Sequence, residues 1–131
     1  MIQNTTKSKT FSYPEVLQTS LDFFNGDELA ATTWINKYCL KDKLGNYLEK
    51  SPDDMHIRMA KEFGRIESNY LQKEGVSENL SAYGKKREAL TANKIYNLFK
   101  GFKYVIPQGS IMIGLGNDKV IASISNCIEM Q

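Results

Sequence analysis

The chain has 131 residues, 24% of them charged and 41% hydrophobic, with a net charge of +2. That length holds one domain at most, and so mild a charge balance gives no argument for a nucleic-acid or anionic-membrane partner. No apolar run approaches the roughly 18 residues that cross a bilayer, and two cysteines outside any C-x-x-C pair, with a single histidine, leave neither a disulfide scaffold nor a metal set.

Residues 1–11 are polar and rich in Thr, Lys and Ser, with no apolar core for a secretory signal. They read as a disordered leader. A helical domain is expected over 12–101. Its first helix starts at Ser12, which caps, with Pro14 and Glu15 in the first turn, and ends at Asn25-Gly26. Asp27 caps a second helix from Glu28 to Tyr38, in which Trp34 is the expected core anchor. Lys41 to Asn46 is a turn and Tyr47-Leu48 a short extended piece.

Ser51-Pro52-Asp53-Asp54 is a strong helix start. Met55, Met59, Phe63, Ile66 and Tyr70 follow at helical spacing, which predicts a third helix over Pro52–Gln72 with that stripe buried. Residues 73–91 read as a loop with one helical turn, and the run Lys85-Lys86-Arg87 as solvated. A fourth helix is expected from Ala92 to Lys100, capped by Thr91, closed by Gly101, with Ile95, Leu98 and Phe99 inward.

After Gly101 the pattern changes. Phe102 to Ile106 is aromatic and β-branched, as in an extended segment. Pro107-Gln-Gly-Ser110 reads as a turn and Gly114-Leu-Gly-Asn117 as a loop. Val120 to Ser125 reads as a short buried strand of the kind found in parallel sheets. Such a strand has no partner here for its backbone groups, which points to further chain.

Taken one by one, the chemically able side chains read blandly. Cys39, between Tyr38 and Leu40, is a core thiol, and Cys127 alone would be another. His56 reads as a surface or hydrogen-bonded helix histidine. Ser110 alone is a turn residue, and Gly114-x-Gly116 alone a plain loop.

Several stretches change that weighting when read together. They are Gly26-Asp-Glu-Leu-Ala-Ala31, Trp34-Ile-Asn-Lys-Tyr38, Lys41-Asp42, Ser51-Pro-Asp-Asp-Met-His56, Ala60-Lys-Glu-Phe63, Arg65-Ile-Glu67, Phe102-Lys-Tyr104, Ile106-Pro-Gln-Gly-Ser110, Gly114-Leu-Gly-Asn117 and Ile121-Ala-Ser-Ile-Ser-Asn-Cys127. In this order and spacing, from Phe11 to Cys127, the chain resembles the large catalytic subunit of ribonucleotide reductases, above all the bacterial adenosylcobalamin-dependent group.

The resemblance implies a mainly α chain that is the N-terminal helical segment of an α/β barrel enzyme. Residues 102–131 would begin that barrel, with Val120–Ser125 as its first strand. It implies reduction of ribonucleotides to deoxyribonucleotides by radical chemistry. Cys127 matches the first half of the redox-active dithiol, and Ser110 and Asn126 match substrate-lining positions. The radical source would be adenosylcobalamin or a metal-bearing partner subunit. The implied partners are the ribonucleotide substrate, the remaining barrel part of the reductase and a second copy in a dimer, with no nucleic acid and no membrane, in the cytoplasm.

Two departures stand out. The family has Pro where Ile111 stands, and continues Cys-Phe-Val-Ile where this chain reads Cys127-Ile-Glu-Met-Gln131. The second cysteine of the pair has no match in these residues, so the isolated chain is expected to be inactive. Two other classes compete with this reading. One is a non-enzymatic helical module that docks on a partner sheet by strand addition; the other is a small nucleic-acid binder.

Overall fold

The computed structural model describes residues 9–72, 80–119 and 122–124. Helices dominate, and no strand occurs among the described residues.

Helix α1 spans Tyr13–Phe23. The backbone N–H and Oγ of Ser12 donate to Glu15 Oε2 at 2.8 and 2.7 Å, which ties down the first turn. Those bonds hold the Glu15 carboxyl below its ordinary pKa. The helix ends where Asn25 (φ 54°) and Gly26 (φ 86°) turn left-handed and the Gly26 N–H donates to the Leu21 carbonyl at 2.8 Å. Helix α2, Glu28–Lys37, starts at Asp27, whose Oδ1 accepts the Ala30 N–H at 2.9 Å. It buries Ala31, Trp34 and Ile35. The Trp34 indole donates to Met55 Sδ at 3.4 Å, so the expected core anchor is in place.

The turn between α2 and α3 is organised by Asp42, whose Oδ1 accepts the N–H groups of Leu44 and Asn46. Tyr47 makes isolated bridges to Phe11 and Lys41. Phe11 therefore does not belong to a loose leader: its N–H donates to the Tyr47 carbonyl at 2.9 Å and its ring lies under Lys50 Nζ at 4.9 Å.

Helix α3 runs Pro52–Gln72, as its start signal and stripe predict. Met55, Met59 and Ala60 are buried, and Phe63 packs against the same core. The stripe then fails: Tyr70 is 62% exposed, because α3 continues past the helices packed on it. Helix α4 is one short turn, Ala82–Lys86, whose Lys85 and Lys86 are exposed, and Arg87 after it pairs with Glu67 of α3. Helix α5, Ala92–Phe99, starts with Thr91 accepting the Lys94 N–H and buries Ile95 and Phe99. Leu98 instead faces out, 41% exposed, since α3 covers only the other side. Gly64 lets α3 and α5 meet closely; a Cβ there would stand 2.9 Å from the Ala92 nitrogen.

The stretch expected to be extended takes another course. Lys100–Phe102 is a 3-10 turn in which Gly101 (φ 63°) and Phe102 (φ 55°) are both left-handed. Lys103 has helical dihedrals, and the Val105 N–H donates back to the Leu98 carbonyl at 3.1 Å. No sheet stands beside this segment, so its β-branched residues form no ladder among the described residues.

Pro107-Gln-Gly-Ser110 opens a helix rather than closing a turn. Helix α6 spans Gly109–Gly114, with Gln108 as its extended N-cap. The Ile111 N–H donates to the Gln108 carbonyl at 3.0 Å. A proline at 111 would lack that donor. Met112 enters the common core, joined by Ile111, Leu115 and Phe102 at its edge.

The expected strand over Val120–Ser125 is described only at Ala122–Ile124. These residues have no strand pairing, and Ile124 is 54% exposed rather than buried. They lie against α6 instead: a Cβ on Gly114 would stand 3.1 Å from the Ala122 Cβ and 3.3 Å from Ile124 Cγ2.

Candidate functional site

Of the three residues expected to form the site, Asn126 and Cys127 lie outside the described residues. Ser110 is described. It is half-buried in the first turn of α6, and its Oγ donates to the Ile124 carbonyl at 3.2 Å. Ile124 precedes Asn126 by two positions and Cys127 by three. Ser110 is thus tied to the chain that leads to the other two expected site residues.

Three contacts seat α6. At its start, Gly109 lies on the Tyr38 ring, where a Cβ would come within 3.2 Å of Cε1. At its middle, Met112 fills the core. At its end, Arg58 of α3 donates from one terminal nitrogen to the Met112 carbonyl at 2.7 Å and from the other to the Leu115 carbonyl. Arg58 Nε donates to Glu49 Oε1 at 2.7 Å, and both side chains are nearly buried, 11% and 5% exposed. The second Glu49 oxygen accepts the Leu40 N–H at 2.9 Å. Helical periodicity places Arg58 on the flank of the Met55/Met59 stripe but gives no sign of these partners, which come from distant sequence.

Around the α6 end, a groove of about 360 Å³ is lined by Glu62, Gly114 to Asp118 and Ile124. Arg65 pairs with Glu62 and holds its carboxyl below the ordinary range; Lys119 does the same for Asp118. These residues present carboxylates to the groove, and each nitrogen of Arg58 is already engaged. The Ser110 hydroxyl is anchored on the Ile124 carbonyl, and Ile124 also lines this groove.

Cys39 lies in the core, as expected. Its thiol donates to the Glu49 carbonyl at 3.4 Å. Burial and then the Glu49 charge push its pKa up to about 12, so it stays a thiol.

His56 does not sit at the surface or find a hydrogen-bond partner. It is fully buried, and neither ring nitrogen is hydrogen-bonded. Phe23, Phe99 and Phe102 surround it, with ring centroids at 6.1, 6.2 and 4.5 Å. Burial lowers its pKa, opposed in part by Asp53, so the ring is neutral. The described residues hold no cluster of three His, Cys, Asp or Glu able to bind a metal ion, and none of them is shown to hold adenosylcobalamin.

Beside α2 lies an apolar cleft of about 480 Å³, walled by Phe24, Leu29, Trp34, Tyr38, Phe102 and Ile106. Leu29 and Ile106 stand exposed at its rim. No helix among the described residues is long and apolar enough to cross a membrane. No protein-family model matches the chain, and no curated protein or solved structure matches it.

Proposed function

We propose that this chain is the N-terminal part of a ribonucleotide reductase catalytic subunit and carries the first cysteine of its redox pair. The observation that carries the reading is the ordered run of stretches from Gly26-Asp-Glu-Leu to Asn126-Cys127. The bond from Ser110 to the Ile124 carbonyl supports it, because it ties one expected substrate contact to the chain leading to the other two.

In this reading Ser110 and Asn126 line the ribonucleotide, and Cys127 is one of two thiols facing the ribose. The ribose 2′-hydroxyl leaves as water. The two thiols give up two electrons and two protons and join as a disulfide, which an external reductant must reopen. The second thiol belongs to the remaining barrel part, and so does the charge that balances the substrate phosphates. Adenosylcobalamin, or a metal-bearing partner subunit, would supply the radical chemistry if bound by that part. A thiol pair that must return to the reduced state suits the cytoplasm, where the product would supply DNA replication.

The test has two arms. The purified chain, given ribonucleoside diphosphate, dithiol reductant and adenosylcobalamin, should form no deoxynucleotide. Mixed with a chain that carries the remaining barrel, it should turn over, and Cys127→Ser should abolish that turnover. Turnover by the chain alone, or activity of the pair that survives Cys127→Ser, would overturn the reading.

A second reading, a non-enzymatic helical interaction module, is favoured by the exposed apolar cleft beside α2. A stable stoichiometric complex with a purified protein unrelated to reductases, lost on Leu29→Glu, would favour this module over the enzyme.

A further inference from the structure

We infer that Arg58 is the positioning residue for Ser110; the inference rests on the reductase reading for the role of Ser110, not for the geometry. Helix α6 has six residues. So short a helix does not hold itself in water, because its few internal bonds do not offset the cost of nucleation. Its last carbonyls have no partner within the helix.

Arg58 satisfies two of those groups, the Met112 carbonyl and that of the C-cap residue Leu115, from a different helix. The planar fork of the guanidinium lets one side chain reach both carbonyls and Glu49 at once. Glu49 balances its charge, and the pair is nearly buried. The chain then folds over the Arg58 stem: a Cβ on Gly116 would lie 3.0 Å from Arg58 Cγ and 3.2 Å from its carbonyl oxygen.

Arg58 therefore fixes the end of α6, as Tyr38 fixes its start. Between these two supports the direction of the Ser110 hydroxyl is set. Arg58 touches no expected substrate position itself and acts through the helix that bears one.

Hydrogen exchange on the full chain tests the geometry. Arg58→Lys keeps the charge and removes the fork. It should speed exchange at the amides of Met112, Leu115 and Asn117 about tenfold or more, while amides of Met59 and Phe99 stay within about twofold. Unchanged rates at α6, or equal acceleration throughout, would overturn the inference. Arg58→Met alone strands the buried Glu49 and invites general unfolding, so Glu49→Gln/Arg58→Met is the second variant, with the same selective loss expected.

In the reassembled reductase, Arg58→Lys should raise the KM for ribonucleoside diphosphate about tenfold with kcat within about twofold. Added to Ser110→Ala it should bring no further rise, since both remove one contact. Additive effects would overturn the inference. If the wild-type pair shows no turnover, it is the reductase reading that fails, and the exchange rates still decide whether Arg58 holds α6.

Discussion

The His56 ring stands edge-on to Phe102, with centroids 4.5 Å apart and planes at 81°. Neither partner is at ease. His56 buries two ring nitrogens without hydrogen bonds, and Phe102 adopts φ 55°, a left-handed conformation costly for a bulky side chain. The packing of three phenyl rings around the imidazole offsets both costs.

This pairing makes the fold sensitive to acid. Burial holds the His56 pKa below its ordinary 6.5. The unfolded chain therefore takes up a proton near 6.5 that the folded chain refuses. Stability is full above that value and falls as pH drops through it towards the folded pKa. Urea midpoints at roughly pH 7.5 and pH 5.5 should differ in wild type, and His56→Leu should remove most of the difference. An equal pH dependence in the variant would show that other groups cause it.

Cys39 should be chemically silent in the native chain. With its thiol pushed up to about 12, almost no thiolate forms near neutral pH. Iodoacetamide followed by peptide mass analysis should find Cys39 unmodified in the folded protein and alkylated once denaturant is added. Labelling of Cys39 in the folded chain would contradict the burial.

The two ends of the α3 stripe should behave differently. Met59 is fully buried, so Met59→Ala should cost about 2–5 kcal/mol in denaturant unfolding. Tyr70 is mostly exposed, so Tyr70→Ala should stay within about 0.5 kcal/mol. Equal losses would place Tyr70 in the core after all.

Two left-handed glycines separate strain from crowding. Gly26 (φ 86°) has open space where a Cβ would go, so Gly26→Ala meets only the backbone penalty, about 1–2 kcal/mol. Gly116 (φ 70°) has Arg58 and Glu62 in that space, so Gly116→Ala should lose more. Chemical denaturation of both variants gives the comparison, and a smaller loss at Gly116 would contradict the crowding.

The helices that carry their own start signals were legible in the residues. Ser12 with Glu15, Asp27, Pro52 with Asp53 and Asp54, and Thr91 each act locally, so sequence neighbours suffice to place α1, α2, α3 and α5. Helix α6 was not legible. Pro107-Gln-Gly-Ser110 is turn chemistry on its own terms, and the group that holds the helix end lies 54 residues away. His56 escaped for a similar reason: spacing sets it next to Met55, but the 3-10 turn that closes over it comes from beyond α5. The substrate-lining role read for Ser110 depends on the resemblance. What the fold adds is its tether to Ile124.

Arg58 meets its two carbonyl partners across 54 and 57 residues of chain. Joining segments so far apart carries a loop-closure cost that neighbouring helices such as α1 and α2 avoid. The α3–α5 platform must also exist before the clamp has anything to grip. The stretch bearing Ser110 is therefore expected to open ahead of the α3–α5 platform. In limited trypsin digestion, Lys100, Lys103 and Lys119 should be cut ahead of Lys61 and Arg65 within α3.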